Sequence, residues 1–180
     1  ELYSNGQLQE ALDTVEALIK DYSNEAMLYN ISGACYAGLG QLDTAVKRYE
    51  QSLAIKPDYA EAHNNLAITL QELGQLDAAI KSYEQALTIK PDYAEAFNNL
   101  GIVLKELGQL DIAVKSYEKI LAIKPDFAEA HYNLAVTLHE LGQLDKAVKN
   151  YEKAITIKPD YPEAHNNLGV TLQELGHLDA

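Results

Sequence analysis

Cysteine is almost absent from this chain: Cys35 stands alone among 180 residues. A single cysteine excludes an internal disulfide and fits a reducing compartment, so a cytoplasmic location is the expectation. Long apolar runs are missing too. No stretch of about 18 apolar residues occurs, so no membrane span is expected, and no secretory apolar core opens the chain. Basic residues are scarce: 14 Lys and Arg face 27 Asp and Glu, for a net charge of -13. A nucleic-acid binder needs a basic stripe to release counterions from phosphates, and this chain carries the opposite sign. Anionic membrane surfaces are disfavoured on the same ground. A neutral or basic partner is favoured, mainly through its association rate. Catalytic motifs are lacking as well: there is no HExxH, GxSxG, P-loop or GxGxxG. A non-enzymatic protein is therefore expected, with no catalytic residues, cofactor or metal.

What the chain does contain is repetition. KPDYAEAHNNL, starting at Lys56, returns as KPDYAEAFNNL at Lys90, KPDFAEAHYNL at Lys124 and KPDYPEAHNNL at Lys158, a step of 34 residues each time. LGQLD marks the same period at Leu39, Leu73, Leu107 and Leu141, with LGHLD at Leu175 and a divergent NGQLQ at Asn5. Complete units cover 26–59, 60–93, 94–127 and 128–161, flanked by partial units at 1–25 and 162–180, and the whole of 1–180 reads as one array. The chain begins without Met and inside a unit, as an excised fragment would.

Each unit predicts two helices. In residues 60–93, Leu66, Ala67, Leu70 and Leu73 recur at helical spacing, and Gly74 supplies a left-handed stop. Asp58 and Glu61 stand at capping-box spacing before the first helix. Asp77 opens the second helix, whose apolar stripe is Ala79, Ile80, Tyr83, Ala86 and Leu87. Lys90 is expected in its last turn, and Pro91 ends it. Two short helices are marginal alone and become stable when neighbouring pairs cover their apolar faces. The predicted fold is an all-α solenoid.

A 34-residue helix–turn–helix unit carrying Leu66, Ala67, Leu70, Gly74, Ala79, Tyr83, Ala86 and Pro91 resembles the tetratricopeptide repeat (TPR) family. The match extends over essentially the whole chain, as with Leu100, Gly101, Leu104, Gly108, Ala113, Tyr117 and Pro125 in the next unit. There are departures: His63, His131 and His165 stand where a large aromatic is expected, while Tyr29 and Phe97 keep one. Ser32 and Ile120 also break the pattern of their rows. The resemblance implies a right-handed superhelical solenoid whose first helices line a concave, peptide-binding face. Asn65, Asn99 and Asn133 are similar to the asparagine ladder in the repeats of O-linked N-acetylglucosamine transferase, which implies a hold on the backbone of an extended peptide.

That face can be built from the residues themselves. With 66, 70 and 73 turned to the partner helix, stacked rows remain for the open side. The first is Asn64, Asn98, Tyr132 and Asn166; the second is Asn65, Asn99, Asn133 and Asn167. An apolar row follows, Ile68, Ile102, Val136 and Val170. Glutamates flank these rows: Glu61, Glu95, Glu129 and Glu163 at one end, Glu72, Glu106, Glu140 and Glu174 at the other. Phe97, Tyr132, Lys105, His139 and the divergent first unit are the odd positions that would carry specificity. An Asn amide both donates and accepts, so a ladder of them suits either a peptide backbone or a neighbouring helix, and both uses stay open. The glutamates suit either a basic ligand or plain solvation at a helix start.

Histidine and cysteine invite other chemistry, with bland alternatives. His131 and His165 hold equivalent places on helices about 8–10 Å apart, too far to share a zinc ion with ligands near 2 Å, so packing is expected. Cys35 occupies the place of Thr69 and Val103 and reads as a packing thiol. The Tyr49, Tyr83, Tyr117 and Tyr151 row reads as core. Three functions from different classes follow. A scaffold would capture an extended peptide or partner helix. A substrate-recognition arm would serve a larger enzyme, such as a glycosyltransferase, whose catalytic part lies elsewhere. A self-assembling module would associate end to end through apolar surface exposed at both termini.

Overall fold

The structure is a computed structural model that describes residues 5–176, with side chains from residue 7. The ends at which terminal apolar surface was expected lie outside the described residues. Ten α-helices and no strands occur among the described residues. They are α1 (Asn5–Asp21), α2 (Ala26–Gly38), α3 (Leu42–Ile55), α4 (Ala60–Glu72) and α5 (Leu76–Ile89), then α6 (Ala94–Glu106), α7 (Leu110–Ile123), α8 (Ala128–Glu140), α9 (Leu144–Ile157) and α10 (Pro162–Glu174). No helix among the described residues is long and apolar enough to cross a membrane. The fold is an all-α solenoid of helix–turn–helix repeats, and two compact units, 1–93 and 94–180, divide it at a repeat boundary.

Within the first unit each helix packs on its sequence neighbour, and α2 also touches α4. Within the second, α6 touches α8 and α8 touches α10 in the same way. Within each unit the first helices of successive repeats therefore lie side by side, with the second helices packed against them. Both cores centre on the tyrosine row. Tyr49, Tyr83, Tyr117 and Tyr151 are all buried, each beside a fully buried alanine four residues earlier: Ala45, Ala79, Ala113 and Ala147.

The turns show why the sequence repeats. Gly74 takes φ 71°, a left-handed conformation that only glycine adopts freely. Its N–H donates to the Gln71 carbonyl and the Gln75 N–H to that of Leu70, a Schellman stop. The KPDY segment does something the sequence did not suggest. Lys56, Lys90, Lys124 and Lys158 each hold their ammonium over the ring three residues on, at 5.0 Å from Tyr59, 4.4 Å from Tyr93, 4.7 Å from Phe127 and 4.5 Å from Tyr161. Such contacts contribute about 0.5–1 kcal/mol each at exposed sites. The expected place of Lys90 is corrected accordingly: the helix ends at Ile89, and Lys90 is extended at φ -128°, as the residue before a proline must be. The expected capping box is corrected as well. Tyr59 rather than Asp58 holds the cap of α4, with no side-chain bond, because the turn places Asp58 one residue too early. The Tyr59 carbonyl takes the N–H groups of Ala62 and His63 instead.

The histidines have their own role. Nε2 of His63, His131 and His165 lies 2.9–3.0 Å from the carbonyl of Pro57, Pro125 and Pro159, six residues earlier, so the ring donates an N–H and straps the turn to its helix. Tyr29 does the same through its hydroxyl to Ser23 at 3.1 Å. Phe97 has no donor and packs beneath Lys119 instead, at 5.3 Å.

One node holds the divergent first repeat. Arg48 pairs with Glu16 at 2.6 Å, and Glu16 also accepts from the Ser32 hydroxyl at 2.7 Å. Three helices, α1, α2 and α3, meet at that carboxylate.

The tyrosine hydroxyls are not equivalent. Tyr83 donates to Gln71 at 3.2 Å, whereas the buried Tyr117 hydroxyl has no partner among the described residues. Lys105 stands where Gln71 does and reaches Glu140 instead, at 3.4 Å. Tyr117→Phe should therefore be neutral or stabilising, while Tyr83→Phe should lose about 1 kcal/mol. Urea unfolding of both variants checks this, and an equal loss in the two would show that the Tyr117 hydroxyl is satisfied.

Candidate functional site

The two asparagine rows meet across the repeat junctions. Asn65 Nδ2 donates to Asn30 Oδ1 at 3.1 Å in the first unit. In the second, Asn133 Nδ2 donates to Asn98 Oδ1 at 3.1 Å, and Asn167 Nδ2 donates to the Tyr132 hydroxyl at 3.1 Å. Asn98 further donates to Glu129 at 3.0 Å. The three bonds from Asn65, Asn133 and Asn167 each join a first helix to the one before it, 35 residues away. Asn64 and Asn98 are buried, not open as the face was first drawn; over Asn98 it is the next first helix, α8, that closes. Asn65, Asn99, Asn133 and Asn167 are half-buried, and Asn166 is exposed.

Beside them the apolar row stays accessible. Ile68, Ile102 and Val136 are half-buried, and Val170 is exposed. The odd positions bridge repeats at the far end of the first helices. Lys105 pairs with Glu140 at 3.4 Å, and His139 Nε2 lies 3.1 Å from Glu174. Both links span 35 residues, so position 139 puts an imidazole where position 105 has an ammonium.

Two clefts open on this face of the second unit. The larger, of about 520 Å³, is lined by Ile102, Phe127, Glu129, Tyr132, Asn133 and Tyr161, among others. The smaller, of about 150 Å³, is lined by Val136, His139, Glu140, Tyr151, Asn167 and Val170 with Thr171. The predicted residues Ile102, Tyr132, Asn133, Val136, His139 and Asn167 are thus brought together around open space. Lys105, Asn98, Asn99 and Asn166 do not line either cleft. Sequence reasoning missed Phe127 and Tyr161, which lie in the turns before α8 and α10; their recurrence in every KPDY/KPDF segment was the available signal.

Tyr132 is the pivot of the larger cleft. Its ring lies 5.0 Å from that of Tyr161 and 6.0 Å from that of Tyr151. Burial pushes the Tyr161 hydroxyl up to about 12, and Glu129, Tyr132 and Glu163 push it the same way. Cys35 is buried away from these clefts, and burial raises its thiol above the ordinary range, which leaves it a packing group.

Stacked helical pairs with an accessible, amide-and-apolar strip define a helical-repeat solenoid. The TPR repeat model matches residues 33–74, 69–108, 103–142 and 137–176, and the chain belongs to the TPR repeat family. Among curated proteins it is similar to the peroxisomal targeting signal receptor of Candida glabrata, 29% identical over 67 residues, which is 37% of this chain and 11% of the receptor. The receptor of Kluyveromyces lactis matches at 28% over 67 residues, 37% of this chain and 12% of that one. The matched stretch is therefore a small part of either receptor. Among solved structures, MamA superposes with a TM-score of 0.80 at 26% identity, over 86% of this chain and 90% of that one. YrrB, described as a TPR protein with an unusual peptide-binding site, superposes with a TM-score of 0.80 at 21% identity, over 94% and 87%. That likeness is one of fold.

Proposed function

We propose that this chain is a protein-interaction scaffold and that its first-helix face takes an extended segment of a neutral or basic protein. The observation that carries this is the clustering of Ile102, Tyr132, Asn133, Val136, His139 and Asn167 around two open clefts on one face. Membership of the TPR repeat family supports it, as does the peptide-binding site named for YrrB. The acidic balance of the chain favours a partner of opposite sign.

Affinity would come from the apolar row and from the amide groups that stay half-open, Asn99 and Asn133 among them. Asn133 keeps acceptor and donor capacity beyond its one inter-helix bond, which a peptide N–H or C=O can use. Because Asn65 and Asn133 also hold neighbouring helices together, replacing them would confound binding with folding. The better test alters the apolar row. Ile68→Lys, Ile102→Lys and Val136→Lys together should leave the far-ultraviolet circular dichroism unchanged, since all three side chains are half-exposed and Lys is a good helix former. The same variant should lose most of the parent's binding to a random peptide library, by tenfold or more. Library binding that survives in a folded triple variant would move the site off this face.

A further inference from the structure

The larger cleft of the second unit combines aromatic and acidic side chains. Three rings, Phe127, Tyr132 and Tyr161, share it with two carboxylates, Glu129 and Glu163. Tyr132 is what makes it distinct: the same row carries the amides Asn64 and Asn98 in the preceding repeats, both buried. Neither Glu129 nor Glu163 forms an ion pair with a described residue; Glu129 takes one amide N–H from Asn98 and keeps a second oxygen. Lys158 also lines the cleft, but its ammonium is held over the Tyr161 ring at 4.5 Å. Glu129 and Glu163 both act on the Tyr161 hydroxyl from within this cleft.

We propose that this cleft is the specificity pocket of the scaffold and that it anchors an arginine side chain of the bound segment. The inference rests on the peptide-binding role proposed above. A guanidinium is planar and weakly hydrated, so it stacks on an aromatic face while its N–H fork meets a carboxylate. The tilted rings of Tyr132 and Tyr161, 5.0 Å apart, supply the first partner and Glu163 the second. Ammonium groups fit less well, being compact and strongly hydrated. A cleft of about 520 Å³ is roomy enough for one such side chain with adjoining backbone. Glu129 and Glu163 sit in the first turns of α8 and α10.

The test uses the whole chain and a set of capped, extended host peptides of Ala and Gly with one guest position. The guests are arginine, citrulline, lysine and phenylalanine. Citrulline keeps the shape of arginine and removes its charge. Arginine should bind about tenfold tighter than citrulline, the ratio expected for charge-assisted bonds, and tighter than lysine. Glu163→Gln, which disturbs no bond in the structure, should erase most of that ratio, and Tyr132→Asn should weaken arginine and leave the citrulline peptide nearly unchanged. Equal binding of arginine and citrulline would overturn the proposal, as would a preference for phenylalanine, a ratio untouched by Glu163→Gln, or no binding by any guest. The two proposals fail separately. A lost arginine preference with library binding still abolished by the apolar-row variant refutes the pocket alone. Library binding that survives that variant refutes the wider role.

Discussion

Above about pH 10 the chain is expected to lose stability steeply, because its core is built on tyrosines that unfolding allows to ionise. Burial is the first cause in all four. It pushes Tyr49 and Tyr151 up to about 12, and Tyr83 and Tyr117 higher still. The sign follows from proton counting. Below pH 10 both folded and unfolded chains hold these protons, so the group adds no pH dependence. Above it the unfolded chain releases protons that the folded chain keeps, and each pH unit removes about 1 kcal/mol per buried tyrosine. Four such groups acting together would remove several kcal/mol between pH 10 and 12, a large share of the stability of any domain. Urea unfolding at pH 8, 9.5, 10.5 and 11 should show a plateau and then a fall. Tyrosinate absorbance from these four rings should appear with unfolding and not before it. Lysines also titrate in this range, so Tyr83→Phe serves as the control: the slope should shrink by one tyrosine's share. Constant stability through pH 11 would mean that the hydroxyls reach solvent in the folded state.

The second large effect concerns space. A Cβ added at Gly101 would lie 2.6 Å from Tyr117 Cε1, and one at Gly33 would lie 2.7 Å from Tyr49 Cε1. Both rings are buried and have no free volume to swing into. Gly101→Ala should therefore destabilise by about 2 kcal/mol, overpacking outweighing the roughly 1 kcal/mol that alanine gains in a helix. Gly169 sits at the equivalent position of its repeat, and a Cβ there meets nothing within 4 Å. Gly169→Ala should accordingly stabilise by up to about 1 kcal/mol. Thermal unfolding of the two variants side by side decides the matter. If both raise the midpoint, the tyrosine ring yields.

The fold was legible because its signals are repeated. Gly74 and its equivalents mark the stops of the first helices, Pro91 and its equivalents those of α3, α5, α7 and α9, and the tyrosine row defines the core. The accessible face was legible in part. Spacing placed Ile68, Ile102 and Val136 on it, yet spacing within one helix says nothing of how closely the next helix approaches. That approach buries Asn98 and turns Asn133 from an open amide into a junction bond. The Lys–aromatic contacts of the turns were hidden for a similar reason: proline forces Lys90 and its equivalents out of the helix, and only the resulting bend brings the ammonium over the ring. The histidine straps were concealed by their resemblance to lost aromatics, since what His131 retains is a donor and not a shape.

The asparagine junctions have a consequence for how such a chain can change length. Where an amide of one repeat meets an amide of the previous one, donor and acceptor are interchangeable among copies. Removing a stretch of one full period would leave every surviving amide with a like neighbour, whereas removing any other length would not. Growth and loss by whole repeats is thus structurally silent at those steps. The step between Tyr132 and Asn167 is different, since a phenol answers the amide there. That junction works as an address in an otherwise unlabelled ladder, and it lies beside the cleft with the most individual chemistry.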